Sequence, residues 1–120
     1  MAQAQQSASH GPGLSLQFRD GMSVLALAGA VDRELVGRGN AALQRLLVEH
    51  DDAVAIDISA IDIVNGAVLG LLLRASRRLA WRNRRLYVVC VHPDECSRLR
   101  IAGIDELATV VDAVPPSPSR

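Results

Sequence analysis

Cys90, His92 and Cys96 are the residues whose types and spacing come nearest to reaction chemistry, with Asp94 and Glu95 between them. A thiolate and an imidazole can ligate a metal or work as a nucleophile and its base, and on a strand positions 90 and 92 share one side. A metal, however, needs three or four converging ligands, and a catalytic thiol needs a base held by a third group. The two cysteines are six apart, with no CxxC and no second pair to complete a zinc site. The expectation is therefore two reduced thiols, no catalytic residue, no metal site and no cofactor. His10 falls in a tail, and His50 ends a helix, where a cation suits the dipole.

Other chemistries are excluded by what is missing. All 13 cations are arginine, so there is neither a Walker lysine nor a Schiff-base lysine. No GxGxxG follows a strand. Phe18, Trp81 and Tyr87 are the only aromatics, too scattered for a base-stacking platform. Thirteen acids against 13 arginines give zero net charge, hence no whole-molecule attraction to nucleic acid or an anionic membrane. The first residues lack the basic and apolar regions of a signal peptide, and no apolar run reaches the ~20 residues of a membrane span. A soluble, cytoplasmic protein is expected.

One surface carries more information. Residues 66–82 have helical spacing, with Val68, Leu69, Leu72, Ala75, Ser76 and Leu79 forming the core stripe. Arg74, Arg77, Arg78 and Arg82 gather on the opposite side. Gly66 and Gly70 edge that exposed face, and Leu71 falls within it. Two glycines four apart leave bare backbone for another surface to approach; Leu71 would supply an apolar contact and the arginines a rim for an acidic partner.

The elements that position this face follow from periodicity. Leu14–Phe18 and Met22–Ala28 read as a β-hairpin about Arg19-Asp20-Gly21. Asp32 is an N-cap for a helix over Arg33–His50. Val54–Ser59 is a strand, and a helix runs from Gly66 to about Arg82. Leu86–Val91 is a strand apolar enough to be covered on both faces. Pro93 opens a third helix that Gly103 ends, and Thr109–Val111 is a last strand. The order β-β-α-β-α-β-α-β predicts an α/β domain: a mixed, mostly parallel sheet with an N-terminal hairpin and helices packed on it by right-handed crossovers. Residues 1–13 and the Pro-rich 114–120 read as disordered tails around a domain at 14–113.

These residues resemble the STAS domain, the fold of bacterial anti-sigma factor antagonists, over most of 14–113. Gly29-Ala30-Val31-Asp32 is similar to the family's lead into its first helix. Ala55-Ile56-Asp57-Ile58-Ser59 is similar to its V-x-L-D-[LM]-S strand, and Arg98-Leu99-Arg100-Ile101-Ala102-Gly103-Ile104-Asp105 to its closing helix and turn. Running on without a gap, the family's D-S-S-G-L-G lands on Asn65-Gly66-Ala67-Val68-Leu69-Gly70. The phospho-acceptor position thus falls at Gly66, with Ala67 at the neighbouring serine; neither has a hydroxyl.

The resemblance implies a non-enzymatic interaction module, an anti-sigma factor antagonist that the usual phosphorylation cannot switch. Its partner would be an anti-sigma factor or kinase-type regulator, met through Asp32, Asn65, Gly66, Ala67, Gly70, Leu71 and Arg74. Homodimer formation is left open, and neither nucleic acid nor membrane is expected as a direct partner. The alternative is a STAS domain that binds a nucleotide or lipid, or serves as a transport accessory. On this reading Leu71→Asp would abolish partner binding and leave the fold intact.

Overall fold

The computed structural model describes residues 5–9, 12–19, 21–49 and 53–115. Alternation of Leu14 and Leu16 with Ser15 and Gln17 makes β2 (Leu14–Arg19), which turns at Gly21, φ +79°, into β3 (Met22–Gly29). The two pair antiparallel with Leu16 opposite Leu25. Ahead of them lies β1 (Gln5–Ser9), paired antiparallel with β2. This corrects the tail reading for those five residues. Gln5–Ser9 carries no apolar alternation to read; its pairing uses the free backbone edge of β2. Residues 1–4, 10, 11 and 116–120 of the expected tails lie outside the described residues.

The rest of the chain alternates as expected: α1 (Arg33–Glu49), β4 (Ala53–Ile61), α2 (Gly66–Ala80), β5 (Leu86–Val89), α3 (Pro93–Ile101), α4 (Ile104–Leu107) and β6 (Thr109–Val111). The six strands stand in chain order across one sheet. Pairs β3–β4, β4–β5 and β5–β6 are parallel, so the sheet is a mixed one that opens with antiparallel strands. Gly103, φ +81°, ends α3, but the short α4 resumes at once behind it, an element too brief for periodicity to reveal. Among the described residues no helix is long and apolar enough to cross a membrane.

The strand pleat sorts the core. Leu16, Leu25, Leu27, Ile56, Ile58, Leu86 and Val88 meet Leu35, Leu43, Leu72, Leu79, Leu99 and Ile104 of the helices in one buried cluster. The alternate strand positions, Met22, Val24, Ala55 and Val89, form a smaller cluster with Tyr87 and Val111, and Val114 packs onto it. Val114 therefore belongs to the packed unit, although its neighbouring prolines place it in a tail by composition.

Leu71 requires a correction: its side chain is fully buried. Helix α2 rests not only on the sheet but also against α1, whose Gly39 comes so close that an added methyl would lie 3.5 Å from Leu71 Cδ2. At 100° per residue Leu71 lies about 60° from Val68, at the border of a buried arc about 140° wide. A one-sided stripe leaves it in water; the second helix covers that flank.

Candidate docking site at the start of α2

Three loops meet where the parallel strands end and their helices begin. Asp32 Oδ1 accepts from Leu35 N at 2.9 Å, capping α1. Asn65 Oδ1 accepts from Val68 N at 3.0 Å, capping α2, and its Nδ2 donates to Val31 O at 2.9 Å. One amide thus fastens the start of α2 to the residue before the α1 cap. Asp62 N donates to Gly29 O at 2.9 Å, a second tie between the same loops. From the other side Glu95 of α3 reaches across to accept from Val64 N at 2.8 Å, and His92 Nε2 lies 3.2 Å from Ser59 O. The β4–α2 loop is consequently held from both flanks before any partner arrives.

The surface so framed is built of small side chains. Gly66 is exposed, and an added Cβ there would meet nothing within 4 Å; at Gly70 it would meet only the tip of Arg74, at 3.6 Å. Asn65 and Ala67 are half-buried beside them. Of the residues expected to make the contact, Asp32, Asn65, Gly66, Ala67 and Gly70 border this framed start of α2. Arg74 is exposed about two turns further along the helix. Leu71 faces inward and offers no apolar contact at the surface. Ile63, 45% exposed, lies in the same loop, and Val91, 50% exposed, stands one residue before His92. Val91 continues the apolar run read as a strand over Leu86–Val91, whereas β5 ends at Val89 and turns it out into solvent; Ile63 falls in the loop between the strand read over Val54–Ser59 and the helix at Gly66, with no local signal of its exposure. The rim also differs from expectation. Exposed Asp32, Glu34, Asp62 and Asp94 ring the helix starts, where carboxylates suit the dipoles, while the arginines lie toward the far end of α2.

The thiol cluster is spent on structure. Burial, followed by the neighbouring Cys96 thiol, pushes Cys90 up from 9.0 to about 12. Cys96 Sγ donates to Cys90 O at 3.3 Å, and Cys90 Sγ lies 3.9 Å from His92 O. With His92 turned to Ser59 O, no three His, Cys, Asp or Glu side chains among the described residues are grouped to hold a metal. Two serines bond locally, Ser59 Oγ to Asp57 at 2.6 Å and Ser76 Oγ to Leu72 O at 2.8 Å. Among the described residues the surface also carries hollows, a small one of about 200 Å³ beside Arg38 and Arg45 and two larger ones. One of about 630 Å³ is lined by Arg85, Arg100, Cys96 and Thr109, and one of about 610 Å³ by Ala26, Ala28, Asp57 and Ala60.

Comparison with curated protein sequences gives no match. Solved structures do match. An anti-sigma factor antagonist from Mycobacterium paratuberculosis superposes with a TM-score of 0.75 at 20% identity, over 91% of this chain and 92% of that one. A putative anti-sigma factor antagonist from Thermotoga maritima gives 0.74 at 11% identity, over 88% and 91%. The Bacillus cell fate determinant SpoIIAA in its phosphorylated form gives 0.65 at 15%, over 82% and 90%. At these identities the likeness is one of fold. A family model described as Mlab, STAS domain matches residues 14–112, which spans β2 through β6, and the chain belongs to the STAS domain family.

Proposed function

We propose that this domain is a non-enzymatic interaction module, an anti-sigma factor antagonist that binds a kinase-type anti-sigma factor in the cytoplasm through the start of α2. The observation that carries the reading is the bare backbone of Gly66 and Gly70, held rigid by the Asn65 and Glu95 hydrogen bonds and bordered by exposed Ile63. A surface already ordered loses little freedom when a partner docks. Between Ala60 and Gly70 there is no hydroxyl to phosphorylate. A phosphate at a helix start would add about two negative charges, here beside Asp32 and Asp62. Lacking the acceptor, the domain stays in one electrostatic state toward its partner.

The test is calorimetric titration against a kinase-type anti-sigma factor of the same cell. Gly66→Arg and Ile63→Asp should each weaken binding at least tenfold with an unchanged circular dichroism spectrum, and full-strength binding by both variants removes this surface from consideration. Incubation of the pair with ATP should leave residues 60–70 free of phosphate; a phosphopeptide from that segment contradicts the unswitched reading. The small-ligand alternative draws on the two larger hollows and makes a different prediction. A nucleotide or lipid at ~100 times its Kd would stabilise the fold by ~2.7 kcal/mol, visible as a thermal shift.

A further inference from the structure

We propose that the opposite end of α2 is a second docking surface, one that takes an acidic peptide segment of a protein partner. Its centre is Trp81, the sole tryptophan of the chain, 87% exposed. Burying so large a side chain is ordinarily favourable, and tryptophan and arginine are the residues that most often dominate binding at interfaces. Arg74, Arg77, Arg78 and Trp81 stand at i, i+3, i+4 and i+7, a single stripe about 10 Å long on the exposed side of α2. Beyond the helix, Arg82 and Arg85 are exposed next to it.

Local electrostatics account for only part of this. Arg77 and Arg78 lie in the last turn, where cations suit the helix dipole. The others do not, and the stretch between Asp62 and Asp94 holds six arginines and no carboxylate. Among the described residues the ion pair is Arg98 with Glu95, in α3, and no described carboxylate forms a salt bridge with a guanidinium of this patch. Nη1 of Arg78 is shielded from solvent without a hydrogen-bond partner. The patch is also preorganised. Asn83, φ +55°, sends the chain out of α2 through a Schellman turn, with Arg84 N donating to Leu79 O at 2.8 Å and Asn83 N to Ala80 O at 3.0 Å. Arg85 Nε is then fixed by Thr109 Oγ1.

Charge complementarity selects the occupant. Guanidinium forks pair bidentately with carboxylates, and a two-turn stripe matches carboxylates spaced along one side of a partner helix, with an apolar residue set on the indole. A single-stranded nucleic acid would want several stacking faces, and this patch offers one. A bilayer would want more apolar surface than a lone indole. The surface is separate from Gly66, and the proposal stands without the reading of the α2 start.

Trp81 is its own probe. A 14-residue helical peptide of Glu and Leu should shift its emission to the blue on saturable binding, and the same peptide with Gln in place of Glu should not. Arg77→Glu with Arg82→Glu should weaken binding at least tenfold, whereas Gly66→Arg should leave it unchanged. Should the double variant lose its helical dichroism, abolition of the shift in 1 M salt carries the same test. An absent shift, an equal shift with the Gln peptide, or a shift only with phosphatidylglycerol vesicles or oligothymidylate overturns the proposal.

Discussion

Two asparagines bracket α2 and serve opposite ends of it by different means. Asn65 works through its side chain: its amide oxygen caps the helix and its amide nitrogen holds Val31 O. Asn83 works through its backbone, adopting the left-handed conformation that few other residues tolerate and closing the helix with main-chain bonds. The start of α2 is therefore tied to neighbouring loops and stripped of bulk. The far end is closed by its own main-chain bonds, with Arg85 beyond it held by Thr109, and is crowded with long cationic side chains. Rigidity with bare backbone suits a surface that a partner must approach closely, and a splay of guanidiniums suits recognition by charge.

Substitutions test that contrast. The most severe removes the helix that both ends share: Leu71→Asp places a carboxylate in a fully buried site, and even Leu71→Ala should cost ~2–5 kcal/mol in denaturant unfolding. Loss of the folded dichroism is expected for Leu71→Asp; a native spectrum would mean that α1 does not cover this flank. Asn65→Ala should cost ~1–2 kcal/mol through the lost cap and the lost tie. Asn65→Asp keeps the cap but turns a carboxylate toward Val31 O, so it should remain below wild type in melting temperature. Asn83→Gly, by contrast, should be neutral or stabilise by up to ~1 kcal/mol, since only φ is at stake. If both asparagines behave alike, the distinction between the two ends fails.

Gly39→Ala offers a smaller effect of the same sign: its methyl would meet Leu71 at ordinary contact distance, and a helix gains ~0.5–1 kcal/mol from the exchange. Smallest under ordinary conditions is the thiol. Native Cys90 should react with a thiol reagent only on unfolding, after half-buried Cys96. The folded thiol keeps its proton to about 12 while the unfolded one releases it near 9.0. Above pH 9 the unfolded chain thus binds fewer protons, and stability should fall as pH rises toward 12, less so in Cys90→Ala.

Most of the fold was legible because its signals are local. Alternation in Leu14–Gln17, the caps Asp32 and Asn65, Pro93 at a helix start and Gly103 at its end each act within a few residues. β1 was not legible, since its pairing is made by backbone atoms that every residue carries. The candidate site was legible in part: the glycines and caps are local signals, but Val91 looks like a strand residue until β5 is seen to stop at Val89, and nothing local marks Ile63 as exposed. Leu71 looks solvent-facing until α1 is in place.

The sequence alone determined the alternation of strands and helices from Leu14 to Ile101, the side-chain caps, and the absence of a hydroxyl between Ala60 and Gly70. It also determined that six arginines follow one another without a carboxylate, so that neutral overall charge conceals a polar gradient. Only the tertiary structure decided how wide the buried arc of α2 is, which apolar residues remain in water, and that Asp32, Asp62 and Asp94 stand near the start of α2 while Trp81 and its arginines stand exposed at the far end. The reason is physical. Caps, turns and pleats depend on atoms a few bonds away, whereas burial depends on which distant element lands on a given flank, and no single helix records where its neighbour will lie.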